Sequence, residues 1–230
     1  MFPKNAYNLL DLNFSKFAIT WEQRKLGDIA DIVGGGTPST NKEEYWDGDI
    51  DWYAPAEIAD QIYVESSERK ITQEGFDNSS AKMLPAGTVL FTSRAGIGKT
   101  AILRKKSCTN QGFQSIVPHV DELDSYFIFS RVDELKRYGE TVGAGSTFVE
   151  VSGKQMAAME LMMPQTIGEQ KRIGNYFEHL DNLITLHQRE LGVKSCSYSL
   201  SILQNKKSRC SPKTTPTNSL SFLSFIFFLC

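Results

Sequence analysis

Leu161-Met162-Met163-Pro164-Gln165-Thr166-Ile167-Gly168-Glu169-Gln170-Lys171-Arg172-Ile173 is the stretch at which this chain changes character. Leu161 to Met163 is a short apolar run, and Pro164 closes it as a strand passing into a turn. Thr166-Ile167-Gly168-Glu169 then fits a capping box. The threonine hydroxyl takes an amide of the first turn, and the glutamate three residues on reaches back. A helix is expected to follow. Ile173, Phe177, Leu180, Ile184, His187 and Leu191 fall at steps of 4, 3, 4, 3 and 4, the seam of a helix that pairs with another helix. Glu178, Asp181, Asn182, Gln188 and Arg189 lie between them. A core helix would show a similar stripe, and fewer than three heptads do not separate the two readings. Gly192 and the Ser-, Lys-, Thr- and Pro-rich sequence after it predict that the helix stops near Leu191.

Upstream, the pattern shortens. Leu26 to Val33 reads as a short amphipathic element broken by Gly34-Gly35-Gly36-Thr37-Pro38. Ile50 to Tyr53, Ile62 to Val64, Thr88 to Phe91, Ala101 to Leu103 and Ser115 to Val117 are strand candidates. Tyr126 to Leu135 reads as helical, and Val142 to Ser152 as Gly-rich and short-stranded. Interleaved short strands and helices predict a mixed α/β domain. The expected organisation is a leader over 1–20, a domain over 21–163, a helix over 164–191 and a tail without regular structure over 192–230.

Composition narrows the function. The 230 residues are 40% hydrophobic and 23% charged, with a formal net charge of -2. That excludes a uniformly basic coat, so any affinity for nucleic acid needs a few placed cations. Cys108, Cys196, Cys210 and Cys230 form no C-x-x-C pair, and His119, His179 and His187 have no partners at ligand spacing, so no metal site is expected. The N-terminus has no secretory signal pattern, which points to the cytoplasm. Leu220 to Cys230 is apolar but spans eleven residues, where a membrane helix needs about twenty.

Ser93-Arg94-Ala95-Gly96-Ile97-Gly98-Lys99-Thr100 resembles a phosphate loop, but Ser93 stands where the first glycine is required. Arg94, Lys99, Arg104, Lys105 and Lys106 nevertheless follow one another with no acid between, a local cationic edge suited to phosphates or simply to water. Asp51-Trp52-Tyr53-Ala54-Pro55 has the wrong order for an amino-methyltransferase box, and no serine-histidine-aspartate set or carboxylate pair suggests catalysis. Asn110-Gln111-Gly112-Phe113-Gln114 and Gly143 to Phe148 are amide- and Gly-rich loops. Such side chains can read adenine in the major groove, and they also build turns.

Taken in order, these segments resemble the target recognition domain of type I restriction-modification specificity subunits. The carriers are Trp21 to Asp28, Gly35-Gly36-Thr37-Pro38-Ser39, Trp52 to Glu57, Ser93 to Thr100, Asn110 to Phe113, Gly145 to Lys154 and Pro164 to Leu191, an ordered set that spans the chain from Trp21 to Leu191. The resemblance implies sequence-specific binding of double-stranded DNA by a non-catalytic subunit. Methyltransferase and restriction subunits would be its partners, and S-adenosylmethionine, ATP and magnesium would belong to them, with no cofactor held by this chain. Thr37, Ser39, Lys42, Arg94, Lys99, Arg104, Lys105, Gln111 and Lys154 are then the candidate DNA contacts. Ile173, Phe177, Leu180, Ile184, His187 and Leu191 become the candidate partner-helix interface. The match is to one recognition domain where the family has two, and the sequence after Arg189 departs from the family's helix. A half-subunit that pairs with a second copy is one expectation. The alternative is a truncated fragment that serves as an interaction module or recombination cassette.

Overall fold

The computed structural model describes residues 21–94, 96–144 and 150–208, with backbone alone from 190 onward. The expected leader and the end of the expected tail lie outside the described residues, as does most of the Gly145–Phe148 motif. Among the described residues the elements are strand β1 (Trp21–Lys25), helix α1 (Leu26–Ile29), strands β2 (Ala30–Gly34), β3 (Trp46–Tyr53), β4 (Tyr63–Val64) and β5 (Arg69–Ile71), and helix α2 (Gln73–Asp77). Then come β6 (Val89–Phe91), β7 (Thr100–Leu103), β8 (Cys108–Thr109) and β9 (Gln114–Pro118). Helices α3 (Ser125–Phe129), α4 (Val132–Gly143) and α5 (Gly153–Ala157), strand β10 (Glu160–Pro164) and helix α6 (Ile167–Ser208) complete the order. The fold is mixed α/β, as expected.

Five strands form the central sheet in the order β2-β9-β6-β7-β4. Its pairs are antiparallel except β4 with β7, which is parallel. Both faces of this sheet are covered. Val89 and Phe91 of β6 and Ile102 of β7 enter the main core with Ile29, Ile116, Phe127 and Leu135. Leu90, Ala101 and Leu103, which alternate with them, enter a second core with Tyr53, Leu84 and Phe113. The two-residue alternation of strand side chains thus explains why these strands are apolar throughout. Burying Phe91 alone is worth roughly 3 kcal/mol or more against alanine.

A second sheet, β5-β3-β8, packs a smaller core of Tyr45, Trp46, Trp52, Ile71 and Cys108. Its β3–β5 pair carries a bulge, with Ile71 opposite both Trp46 and Ile50. The third sheet joins the beginning of the domain to its end. β1 pairs antiparallel with β10, Trp21 opposite Pro164 and Lys25 opposite Glu160.

Three local expectations change. Leu26–Val33 is not one amphipathic element. A single helical turn ends at Ile29, and β2 begins at Ala30, because Asp31, Ile32 and Val33 find partners along β9. The helical run over 126–135 is two helices. Asp124 caps α3, Ser130 bonds back to the Phe127 carbonyl, and α4 starts afresh at Val132. It runs through Val142 to Gly143, where a strand was expected, and Glu150 instead makes a single bridge to Arg94. Gly139 and Gly143 suit α4 for contact, since a Cβ at Gly139 would lie 2.9 Å from both Phe91 and Ile97.

The largest correction concerns the last helix. α6 does not stop at Leu191 but continues through Gly192 to Ser208. One glycine inside a helix costs about 1 kcal/mol against alanine, and the first residue that would block the backbone, Pro212, comes later. The chain divides into two units, one ending at Phe177 and the other beginning at Glu178. The root of α6 therefore belongs to the domain. The Thr166 hydroxyl accepts from the Glu169 amide. Buried Gln170 donates to the Glu122 carbonyl and accepts from the Asp124 amide, both at 3.0 Å. Ile173 packs against the main core, so it supports the domain rather than a partner helix.

Candidate nucleic-acid interface

The antiparallel order of the central sheet decides where the sequence motifs meet. β2 ends at Gly34 opposite Gln114, the start of β9, and β6 ends at Phe91 opposite Thr100, the start of β7. The Gly34–Ser39 loop, the Ser93–Lys99 turn and the Asn110–Gly112 turn therefore leave one end of the sheet together. The segment from Glu150 to Lys154 joins them. The Val151 amide donates to the Ser93 carbonyl, and Gly153 lies against the Gln114 amide.

The Gly34–Ser39 loop is held from several sides. Trp52 donates its indole N–H to the Gly36 carbonyl at 2.8 Å, and Trp46 donates to the Ser39 carbonyl at 3.2 Å. The Arg69 guanidinium lies 3.7 Å from the Trp46 ring centre. The Gly36 amide donates to the Thr109 carbonyl. Glycine is required at 35 and 36 because backbone lies where a side chain would begin. A Cβ at Gly35 would sit 2.1 Å from the Asn110 carbonyl oxygen, and one at Gly36 would sit 2.4 Å from the Ser80 carbonyl carbon. The Thr37 hydroxyl, half-buried, hydrogen-bonds to the Gln111 side-chain oxygen, and Gln111 is exposed. That bond fixes the Gln111 amide while its NH2 keeps free donors. Ser39 is exposed beside it.

The Ser93–Lys99 turn closes in a different way from a phosphate loop. The Thr92 hydroxyl donates to the Gly96 carbonyl and accepts from the Lys99 amide. Gly96 and Gly98 take left-handed backbone angles, φ 105° and 96°. The Gly98 and Lys99 amides are thus spent on the turn itself.

The cationic edge expected between Arg94 and Lys106 does not exist as one surface. β7 is buried at all four residues and carries the chain across the sheet. Lys99 and Arg104 stand at opposite ends of that strand, roughly 16 Å apart along the backbone. Distant acids also neutralise part of the run. Arg94 pairs with Glu150 at 3.9 Å, Arg104 with Glu65 at 3.6 Å, and Lys105 with Asp51 at 2.9 Å. Arg104 also lies over the Tyr63 ring. Asp51 is buried and takes Lys70 as well, at 3.4 Å. Burial works to raise the Asp51 carboxyl pKa. The Ser67 amide and the two lysines outweigh it and hold the carboxyl at about 2. Lys105 is thereby the counter-ion of a buried carboxylate, which sets it apart from the candidates at the motif end.

Among the described residues Lys99 and Lys154 are exposed and have no ion pair. Lys42 donates to the Tyr45 hydroxyl at 2.7 Å, which raises its pKa and keeps it charged. Of the nine candidates, the structure gathers Thr37, Ser39, Gln111, Arg94, Lys99 and Lys154 around the motif end, with Lys42 three residues beyond Ser39. Arg104 and Lys105 lie at the other end of β7, each beside an acid. Sequence reasoning passed over Trp46 and Trp52 as holders of the loop. The bonds they make run from β3 to the loop that follows β2, and no spacing rule predicts them. Burial pushes the Cys108 thiol up to about 11, so it is a packing group rather than a nucleophile. Among the described residues no cluster of three or more His, Cys, Asp or Glu could hold a metal ion, and no helix is long and apolar enough to cross a membrane.

On α6 the helix-interface candidates differ among themselves. Phe177 and Ile184 are exposed, at 42% and 55%, Leu180 is half-buried and His187 is exposed. Leu183 and Leu186 are exposed apolar residues too. The side chain of Leu191 lies outside the described residues.

The family model for the type I restriction modification DNA specificity domain matches residues 18–193. The chain belongs to that family. The MjaIX specificity subunit of Methanocaldococcus jannaschii is 35% identical to this specificity domain over 177 residues, covering 76% of the chain and 41% of the relative. The EcoR124I/EcoR124II specificity subunit of Escherichia coli is 30% identical over 187 residues, covering 78% and 45%. The chain thus spans less than half the length of the curated relatives it matches. Among solved structures, the HsdS subunit from Thermoanaerobacter tengcongensis superposes with a TM-score of 0.55 at 18% identity, over 74% of this chain and 39% of that one. A chain from a structure of type I R-M complex assembly and conformational transition gives 0.61, also at 18% identity, over 77% and 42%. At that identity the likeness shows the fold.

Proposed function

We propose that this chain reads a DNA sequence as the recognition domain of a type I specificity subunit, and that it catalyses nothing itself. The observation that carries the reading is the gathering of the motif loops at one sheet end. There Thr37, on a loop clamped by two indoles, holds Gln111 of the neighbouring Asn110–Gly112 turn. A glutamine can pair bidentately with the N6 and N7 edge of adenine, a contact worth about 1–3 kcal/mol of discrimination. Lys42, Lys99 and Lys154 supply phosphate contacts, which orient the protein without reading sequence. Methylation and cleavage fall to partner subunits, which hold S-adenosylmethionine, ATP and magnesium, and the complex works on cytoplasmic DNA.

α6 serves as the docking element, offering Phe177, Leu180, Ile184 and His187 to a helix of a methyltransferase subunit or of a second copy. The interaction-module alternative was motivated by a helix ending at Leu191, and α6 reaches Ser208.

Selection from a randomised duplex library tests the reading. The full chain, alone and mixed with the cognate methyltransferase subunit, should enrich one sequence pattern. Gln111→Ala should relax that pattern at one or two positions while leaving retention of bulk DNA intact. A flat profile in both mixtures would sink the proposal.

A further inference from the structure

The candidates at the motif end came from sequence motifs, so they omit any cation that folding brings there from elsewhere. Two such lysines stand out. Ser80 abuts the clamped loop so closely that its Oγ lies 2.3 Å from where a Gly36 Cβ would be. Ala81 beside it is buried, and Lys82 is exposed. The second is on α4. The Lys136 stem lies across the Ser93–Lys99 turn, with its Cγ 2.4 Å and its Cα 3.0 Å from the place of a Gly98 Cβ. The absence of a side chain at Gly98, next to Lys99, is what makes room for Lys136. Both lysines are exposed, and neither has an ion pair among the described residues.

We propose that Lys82 and Lys136 are phosphate contacts on the same face as Lys99, so that the electrostatic footprint of the domain is completed by segments outside every family motif. The inference rests on the DNA-reading function above. Its physical basis is a contrast. Arg94, Arg104, Lys70 and Lys105 are neutralised by acids within 4 Å. Lys82 follows directly on Ser80 and Ala81, which abut the clamped loop, and the Lys136 stem borders the Ser93–Lys99 turn; both keep their charge without an ion pair among the described residues. A cation already paired with a carboxylate gains little from a phosphate, because the new contact must break the old one. An unpaired cation releases a counter-ion from DNA when it binds.

Salt titration of the full chain on a fluorescently labelled random-sequence duplex tests this directly. Each phosphate contact contributes about 0.9 to the slope of log K against log salt. Lys82→Ala and Lys136→Ala should each lower the slope by about that amount, and the double variant by roughly twice as much. Lys106→Ala, an exposed lysine beyond the far end of β7, should leave it unchanged. Urea midpoints equal to that of the unaltered chain show that a fall in slope is not loss of fold. Unchanged slopes with binding intact overturn the assignment alone. Equal falls in all three variants also overturn it, since they would report net charge rather than place. No binding of the duplex at low salt, by the chain alone and by its mixture with the methyltransferase subunit, removes the DNA-reading function together with it.

Discussion

The two ends of the central sheet are built from neighbouring stretches of sequence and do opposite things with charge. At the end where Lys105 lies, lysines serve a buried carboxylate. Asp51 is inside, and Lys70 and Lys105 close over it from positions about half exposed. At the end where Lys99 lies, backbone is packed without room for a Cβ, aromatic N–H groups hold a loop, and lysines remain unpaired among the described residues. The one end commits Lys70 and Lys105 to a buried carboxylate, and the other leaves Lys99 and Lys154 without an ion pair among the described residues. A run of cations in a sequence is therefore not a patch until the acids have been located.

The largest effect should come from filling the motif end. Gly36→Val forces a side chain into the Ser80 backbone and should cost about 3 kcal/mol or more, read as a lowered urea midpoint. A variant of full stability would mean the loop is not held as described. Next is the charge-consuming end. The Asp51 carboxyl titrates at about 2, below the ordinary carboxylate near 4, so its stabilisation is complete above about pH 4 and fades as pH falls toward 2. Asp51→Asn should lower stability by about 2 kcal/mol at neutral pH. The gap between variant and parent should close on acidification. A gap independent of pH would remove the electrostatic account.

Trp46→Phe separates ring from hydrogen bond. It keeps the surface under Arg69 and loses the donor to Ser39, and should cost about 1 kcal/mol with weakened sequence discrimination. The finest cut compares two lysines. Lys105→Ala should reduce stability by up to about 1 kcal/mol and leave DNA salt dependence alone. Lys99→Ala should do the reverse, lowering the slope by about 0.9 with stability within about 0.5 kcal/mol of the parent. An exchange of these outcomes would erase the distinction between the ends.

The fold was legible where burial is two-sided and local. Val89–Phe91 and Ala101–Leu103 read as strands because every residue in them is apolar. The specificity family was legible because loops such as Gly35–Ser39 and Asn110–Phe113 are spelled by residues that permit close backbone approach. What could not be read was pairing at a distance. Nothing near Lys105 announces Asp51, and nothing near Gly36 announces Trp52 or Ser80. The end of α6 was misjudged for the opposite reason. Gly192 reads as a stop, whereas a single glycine without a following proline is too small a penalty to end a helix that propagates from a capped and anchored start.

One feature of the domain has a mechanical side. β1 and β10 are antiparallel, and Trp21, where the described chain enters, faces Pro164, where it leaves toward α6. Tension applied between those two points would load the ladder at one end, peeling its hydrogen bonds singly, as a zipper opens, rather than shearing them all at once. The pair should therefore part at low force, and a pulling experiment should record a small early step before the central sheet yields. Under load, the β1–β10 pair that ties the beginning of the domain to its end would be the part that gives first.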